Sequence, residues 1–181
     1  AIAVELSSAD PTAAIYYTLD GSEPDETSAQ YTSPLVISEP SRLRAKSYEV
    51  GKTGGIVAVA DYSFLDSSLL GYLADVPVIV MDNFGAGSYP NKGRSNDGSF
   101  VQQVPRQANV MSFFDVSANS QPFSQSPSLQ ARAGCRVRGS SSSTFPRKPL
   151  SVEFWNDKDE DDNSVSPFGM PAEADWVLNA P

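Results

Sequence analysis

The sequence predicts a mainly β fold, arranged as two small β-sandwich domains in tandem. Three observations carry this reading. Fourteen Pro and twelve Gly, with many Ser, cut the 181 residues into short segments. The apolar runs between these breaks are short, and several alternate with period two, the strand period rather than the helical one. Hydrophobic residues make up 40% of the chain and charged residues 19%, enough apolar side chain to build a core. The length admits one domain or two small ones.

Residues 1–65 form the first predicted domain. Residues 13–19, Ala-Ala-Ile-Tyr-Tyr-Thr-Leu, are strand formers, and Asp20-Gly21-Ser22-Glu23-Pro24 follows as turn chemistry with a hairpin-type Asp-Gly pair. Leu35-Val36-Ile37 reads as a short buried strand, 42–48 as a half-exposed alternating strand, and 56–64 as the closing one. Strands at this spacing, with turns between them, describe a small sandwich.

Residues 66–75 read as a linker with one helical turn, and the second predicted domain covers 76–181. Its first strand is the nearly continuous apolar run 76–82. A long loop follows at 85–99, whose irregular Gly spacing fits neither a dinucleotide nor a P-loop fingerprint. Strands are expected at 100–104 and 108–116, a polar surface loop at 118–128, and an antiparallel pair at 129–138 and 149–155. This pattern suits a jelly-roll-like sandwich.

Composition excludes several chemistries. Histidine is absent, which removes His-dependent triads, imidazole acid–base chemistry and His-based zinc sites. A formal net charge of −9 argues against a nucleic-acid partner, which needs a basic footprint. No apolar run reaches the 18 residues or so of a membrane span. Cys135 is the only cysteine, so no internal disulfide can form, and its alternating context suits a small buried hydrophobe better than a reactive thiol. The chain starts at Ala1 with neither an initiator Met nor a basic signal-peptide start, so it is expected to be a piece of a longer parent chain.

In this acidic chain positive charge gathers at one place. Arg136, Arg138, Arg147 and Lys148 flank the Gly139-Ser140-Ser141-Ser142-Ser143 crossing between the strands at 129–138 and 149–155. Gly/Ser amides can form an anion-binding concavity, and Arg and Lys add a fork and a point charge suited to phosphate. The alternative is a plain turn whose basic residues keep the strand edges soluble, with Arg138 paired to Glu153 or Asp175.

Two resemblances extend this reading. Val137-Arg138-Gly139-Ser140-Ser141-Ser142, Phe145-Pro146-Arg147-Lys148-Pro149-Leu150 and Phe168-Gly169-Met170-Pro171-Ala172-Glu173-Ala174-Asp175-Trp176-Val177-Leu178 resemble, in that order, the amino-terminal part of the CotH family of spore-coat-associated, kinase-like proteins. The resemblance covers 76–181 and implies ATP-dependent phosphorylation of protein serines with a divalent metal, Mg or Mn. It makes Arg138, Ser140, Ser141, Ser142, Arg147 and Lys148 the expected phosphate or nucleotide contacts. No catalytic or metal-ligating residue is expected in this chain, because the family's acidic segments would lie beyond Pro181. The chain alone is therefore expected to hold no cofactor and to be inactive.

In the first domain, Tyr16-Tyr17-Thr18-Leu19-Asp20-Gly21-Ser22-Glu23-Pro24, Tyr31-Thr32-Ser33-Pro34-Leu35 and Leu43-Arg44-Ala45-Lys46-Ser47 resemble the immunoglobulin-like module at the carboxyl end of chitobiases and hexosaminidases. That implies an extracellular or cell-surface spacer in a secreted bacterial protein. Tyr16, Tyr17 and Tyr31 offer faces for a sugar ring, although alternating Tyr in a sandwich usually packs core and rim. The expected partners are the rest of the parent chain, a protein serine substrate, or neighbouring copies of a surface protein. The last belongs to an alternative role as a structural or adhesive building block without catalysis.

Residues 157–162 open with the D-x-D-x-D pattern of a calcium loop. Asp162 stands where the sharp-turn Gly belongs and Phe168 where the bidentate Glu belongs, so the segment is expected to be a solvated hairpin tip.

Overall fold

In a computed structural model, residues 1–69, 76–91, 104–115, 126–139 and 141–179 are described, and they are mainly β. Antiparallel sheets of two, four and five strands are consistent with β-sandwich domains. The chain divides into two compact units, Ala1–Phe64 and Leu65–Pro181. A single 3-10 turn at Ser67–Leu69 follows the division.

The first unit holds strands β1 (Ile2–Val4), β2 (Ala14–Thr18), β3 (Ala29–Gln30), β4 (Leu35–Ile37), β5 (Ser41–Tyr48) and β6 (Ala58–Tyr62). β1 pairs with β4, and the other four form a sheet in the order β3-β2-β5-β6. Alternation along β5 buries Leu43 and Ala45, and these with Ile37 and Pro24 make up the unit's small apolar core. A core of that size is near the lower limit for an independent domain, so polar devices matter. Arg42 is buried with its guanidinium 3.5 Å from Asp61 across the β5–β6 pair. Asp20-Gly21 does not make a two-residue hairpin, since ten residues separate the ends of β2 and β3. Instead the Asp20 carboxylate accepts hydrogen bonds from the Ser22 amide and hydroxyl, at 2.9 and 2.6 Å, and closes a local Asx turn. Asp10 with Thr12 and Asp25 with Thr27 repeat the same device.

The second unit is a meander. Strands β7 (Val78–Asp82), β8 (Gln107–Phe114), β9 (Leu129–Val137), β10 (Leu150–Phe154) and β11 (Asp175–Leu178) lie side by side in chain order. The pleat sorts their side chains. One face carries Met111 and Phe113 from β8, Ala131, Ala133 and Cys135 from β9, and Val152 and Phe154 from β10, all buried. Burying an aromatic of this kind contributes about 1.5–3 kcal/mol.

The segment before β11 covers that face. Phe168 stacks edge-on against Phe113 with ring centroids 5.5 Å apart. Its φ of 53° and that of Gly169, 71°, are both left-handed, so the chain reverses there in two residues. Packing against Phe113 holds Phe168 in a conformation that a β-unbranched residue adopts only under such constraint. Pro167 beside it is buried. Trp176 lies on the core side of β11, and its indole N–H donates to the Glu173 carbonyl at 3.0 Å.

Most expected strands appear within two residues of their expected ends. β1, β3 and β11 were not foreseen. The strand expected at 100–104 falls outside the described residues except for Val104, which is not in a strand. Parts of the loops expected at 85–99 and 118–128 also lie outside them.

Candidate functional site

The basic crossing joins β9 to β10. Past the last register pair, Val137 with Leu150, the Arg138 amide still donates to the Pro149 carbonyl at 2.9 Å. Gly139 then turns the chain with φ 93°, and a Cβ there would fall 2.0 Å from Ser142 Oγ. Its left-handed φ requires glycine, and a Cβ would also force the Ser142 hydroxyl to turn away. Ser141–Thr144 forms a 3-10 turn, tied by a bond from the Phe145 amide to the Ser142 carbonyl at 3.2 Å. Ser143 is buried, and its carbonyl accepts from Asn91 Nδ2 at 3.4 Å. The crossing is thus a constructed turn with an anchored back.

Arg138, Arg147 and Lys148 stand on its outside. All three are exposed, and none forms an ion pair or side-chain hydrogen bond with a described residue. Ser142 is half-buried beside Gly139. Ser140 and the Ser141 side chain lie outside the described residues. Arg136 does not join this group: it is half-buried, and its guanidinium donates to the Val104 carbonyl at 3.2 Å.

A second constellation lies on the sheet face opposite the core. Arg106, just ahead of β8, reaches across β9 to an ion pair with Glu153 on β10. It also donates to Ser151 Oγ at 2.9 Å and stands 3.9 Å from the Asp175 carboxylate on β11. These are the carboxylates that sequence reasoning offered to Arg138; register places them opposite each other, with Arg106 as their cation. The indole N–H of Trp155 donates to the other Glu153 oxygen at 3.0 Å. Arg106, Glu153 and Trp155, with Val104, Pro105, Arg136 and Asp159, line an open cleft of about 520 Å³.

Carboxylate oxygens of Glu153, Asp161 and Asp175 lie within 4.8 Å of one another. Burial first, then the negative charge of Glu153 and Asp175, raises the Asp161 pKa from its ordinary 3.8, and Arg106 opposes the rise. None of this was visible in the sequence, because Arg106 sits in a short Pro-Arg-Gln link, 47 residues before Glu153. The only signal was the period-two placement of Glu153 between two core residues.

The 157–162 tip is folded on its own terms. Asn156 Oδ1 accepts from the amides of Lys158 and Glu160, at 2.8 and 3.1 Å, and Asp159 takes φ 61°. Buried Arg132 donates to the Asp157 carbonyl at 3.3 Å and lies 3.8 Å from the Asp159 carboxylate. The tip is therefore docked onto β9 by a cation.

Cys135 is fully buried, and burial pushes its thiol up to about 12, so it is a core residue and not a nucleophile at neutral pH. In the first unit Tyr16 pairs with Lys46 and Tyr17 with Ala45 along β5, so the two tyrosines lie on opposite faces. Tyr16 packs edge-on against Tyr48 at 5.7 Å. They form no common platform.

Comparison with known proteins assigns the first unit. Residues 4–62 match the family described as Fn3 associated. That stretch lies within Ala1–Phe64 and makes the unit an immunoglobulin- or fibronectin-like spacer module. No curated protein and no solved structure matches the chain.

Proposed function

We propose that the chain belongs to an extracellular CotH-type, kinase-like protein, in which a chitobiase-type spacer module precedes a domain that holds nucleotide phosphates at the 138–148 crossing. One observation carries the reading. In a chain of net charge −9, three cationic side chains surround one glycine-dependent turn and have no carboxylate partner among the described residues. An exposed basic residue commonly stands in water without a partner, as Lys158 does among the described residues, so it is the clustering of three at one turn that carries the reading. The donor set suits phosphate: Arg138 supplies a planar fork and Lys148 a mobile point charge. The three motif segments that resemble the CotH family include this crossing, and the F-G-M-P segment of the third supplies the core contact that backs the sheet.

In this reading Arg138 and Lys148 orient phosphate oxygens and offset their charge, while the backing of Ser143 keeps the turn from moving. ATP with a divalent cation would supply the transferable phosphoryl group. The acidic trio Glu153, Asp161 and Asp175 is not assigned to that cation, because Arg106 already sits against two of the three.

The test is a titration of the complete parent protein with MgATP. Lys148→Ala should weaken binding by about tenfold or more, about 1.4 kcal/mol, with an unchanged melting temperature. A lowered melting temperature with unchanged affinity would reduce the crossing to a structural turn. It would favour the second reading, a non-catalytic surface or adhesive building block. That reading draws on the Fn3-associated module and on the exposed Ile2 and Val36 of the β1–β4 ribbon.

A further inference from the structure

The geometry points to a second binding site, for a neutral sugar, in the cleft formed by Trp155, Arg106, Arg136, Glu153 and Asp159. It lies on the outer sheet face, is built from different residues than the basic crossing, and does not depend on the nucleotide reading.

Shape comes first. The cleft's volume of about 520 Å³ falls within the roughly 300–1,000 Å³ of small-molecule sites. One of its walls is an aromatic ring in a fixed place. Trp155 lies against Gly134, where a Cβ would come within 2.0 Å of the indole, and its N–H is tied to Glu153. The ring is half-buried with one side on the sheet backbone, which leaves an apolar surface toward the cleft. It stands on the face opposite Val152 and Phe154, where Val110 and Phe114 of β8 are buried while the indole itself stays half-exposed. A half-exposed indole at the rim of the cleft, with a glycine cut out beneath it, is an arrangement for stacking.

Charge selects the ligand class. The cleft is rich in ionised groups, but they are engaged with one another. Arg106 pairs with Glu153 and donates to Ser151, Arg136 donates to the Val104 carbonyl, and Asp159 lies beside Arg132. A charged ligand would have to compete with these pairs. A neutral polyol would not. A guanidinium has five N–H donors and a carboxylate about four acceptor positions, so each paired group keeps spare capacity. A sugar hydroxyl, at once donor and acceptor, can bridge an Arg N–H and a carboxylate oxygen without breaking the pair. The C–H face of a pyranose meanwhile suits the Trp155 ring.

The experiment titrates the protein with cellohexaose, xylohexaose, mannohexaose and chitohexaose, read by calorimetry and by indole fluorescence. At least one should bind saturably, and binding should persist at high salt, because a neutral ligand is not attracted through screened charge. Trp155→Ala should abolish binding and Trp155→Phe should retain part of it. Circular dichroism would confirm folding of both variants, and Tyr16→Ala in the first unit should bind as the parent does. The proposal is overturned if no oligosaccharide binds at about 10 mM, weaker than any useful site. It is equally overturned if Trp155→Ala binds normally, if Tyr16→Ala alone loses binding, or if only anionic polygalacturonate binds and salt removes it.

Discussion

The indole of Trp155 lies across Gly134 of β9, with Cζ2 only 2.0 Å from where a Cβ would stand. Register explains the contact. Phe154 pairs with Ala133, and the Trp155 amide donates to the Arg132 carbonyl at 3.0 Å, so the ring folds back over the one strand position without a side chain. Gly134→Ala should therefore displace a large ring held by Glu153 and destabilise the second unit by about 1–3 kcal/mol, the usual cost of overpacking. Urea unfolding measures this directly. Adding Trp155→Ala should recover part of the loss, because the two changes share one contact. Equal losses with and without Trp155 would show that the glycine serves the backbone and not the ring.

Cys135 tests the core. Its thiol is fully buried on the β9 core face and pushed up to about 12 by burial, while the nearby Arg106 pulls it slightly the other way. The native protein should react with a disulfide reagent at pH 8 only as fast as it opens, and stoichiometrically once denatured. Prompt labelling of the native state would mean that the face bounded by Val152 and Phe154 is not closed.

The strands were legible in the sequence where alternation was strong. β5 and β9 each run eight or nine residues with polar and apolar positions in register, and turn residues bound them closely. β1, β3 and β11 were not legible for physical reasons. β1 and β3 are two or three residues long and show no measurable period. β11 is the four residues Asp-Trp-Val-Leu, which a sequence motif covered without indicating a strand. The basic crossing could be read because its charges are neighbours in sequence. The Trp155 cleft could not, because Arg106 ahead of β8, Arg136 on β9 and Glu153 on β10 come from three separate segments and meet only through antiparallel pairing.

Acid should act with opposite sign on Asp161 and on three carboxylates of the first unit. Asp10, Asp20 and Asp25 sit below their ordinary 3.8, each chiefly through the hydroxyl two residues on, Thr12, Ser22 or Thr27. A depressed carboxyl pKa means that the unfolded chain takes up protons first as pH falls. The stabilisation is present above 3.8 and is lost as pH drops through the depressed values. Replacing all three with Asn should flatten the acid limb of the first unit's stability. Asp161 is the reverse case. Its raised pKa, from burial and from Glu153 and Asp175, makes its ionisation unfavourable in the fold. Asp161→Asn should raise the melting temperature of the second unit at neutral pH and leave it unchanged in acid, below the ordinary pKa. A loss of stability at neutral pH would show that Asp161 makes a favourable contact that outweighs this repulsion.

The central claim is that the Gly139–Lys148 crossing receives phosphate in the complete parent protein, and amide chemical-shift mapping during a MgATP titration of that protein tests it most directly. Gly139, Ser142, Ser143, Thr144 and Lys148 should move saturably and together, while Gly134, Trp155 and the amides of the first unit stay in place. Lys148→Ala should weaken that response without altering the starting spectrum elsewhere. Shifts confined to the Trp155 cleft, or no saturable shift at the crossing, would contradict the account.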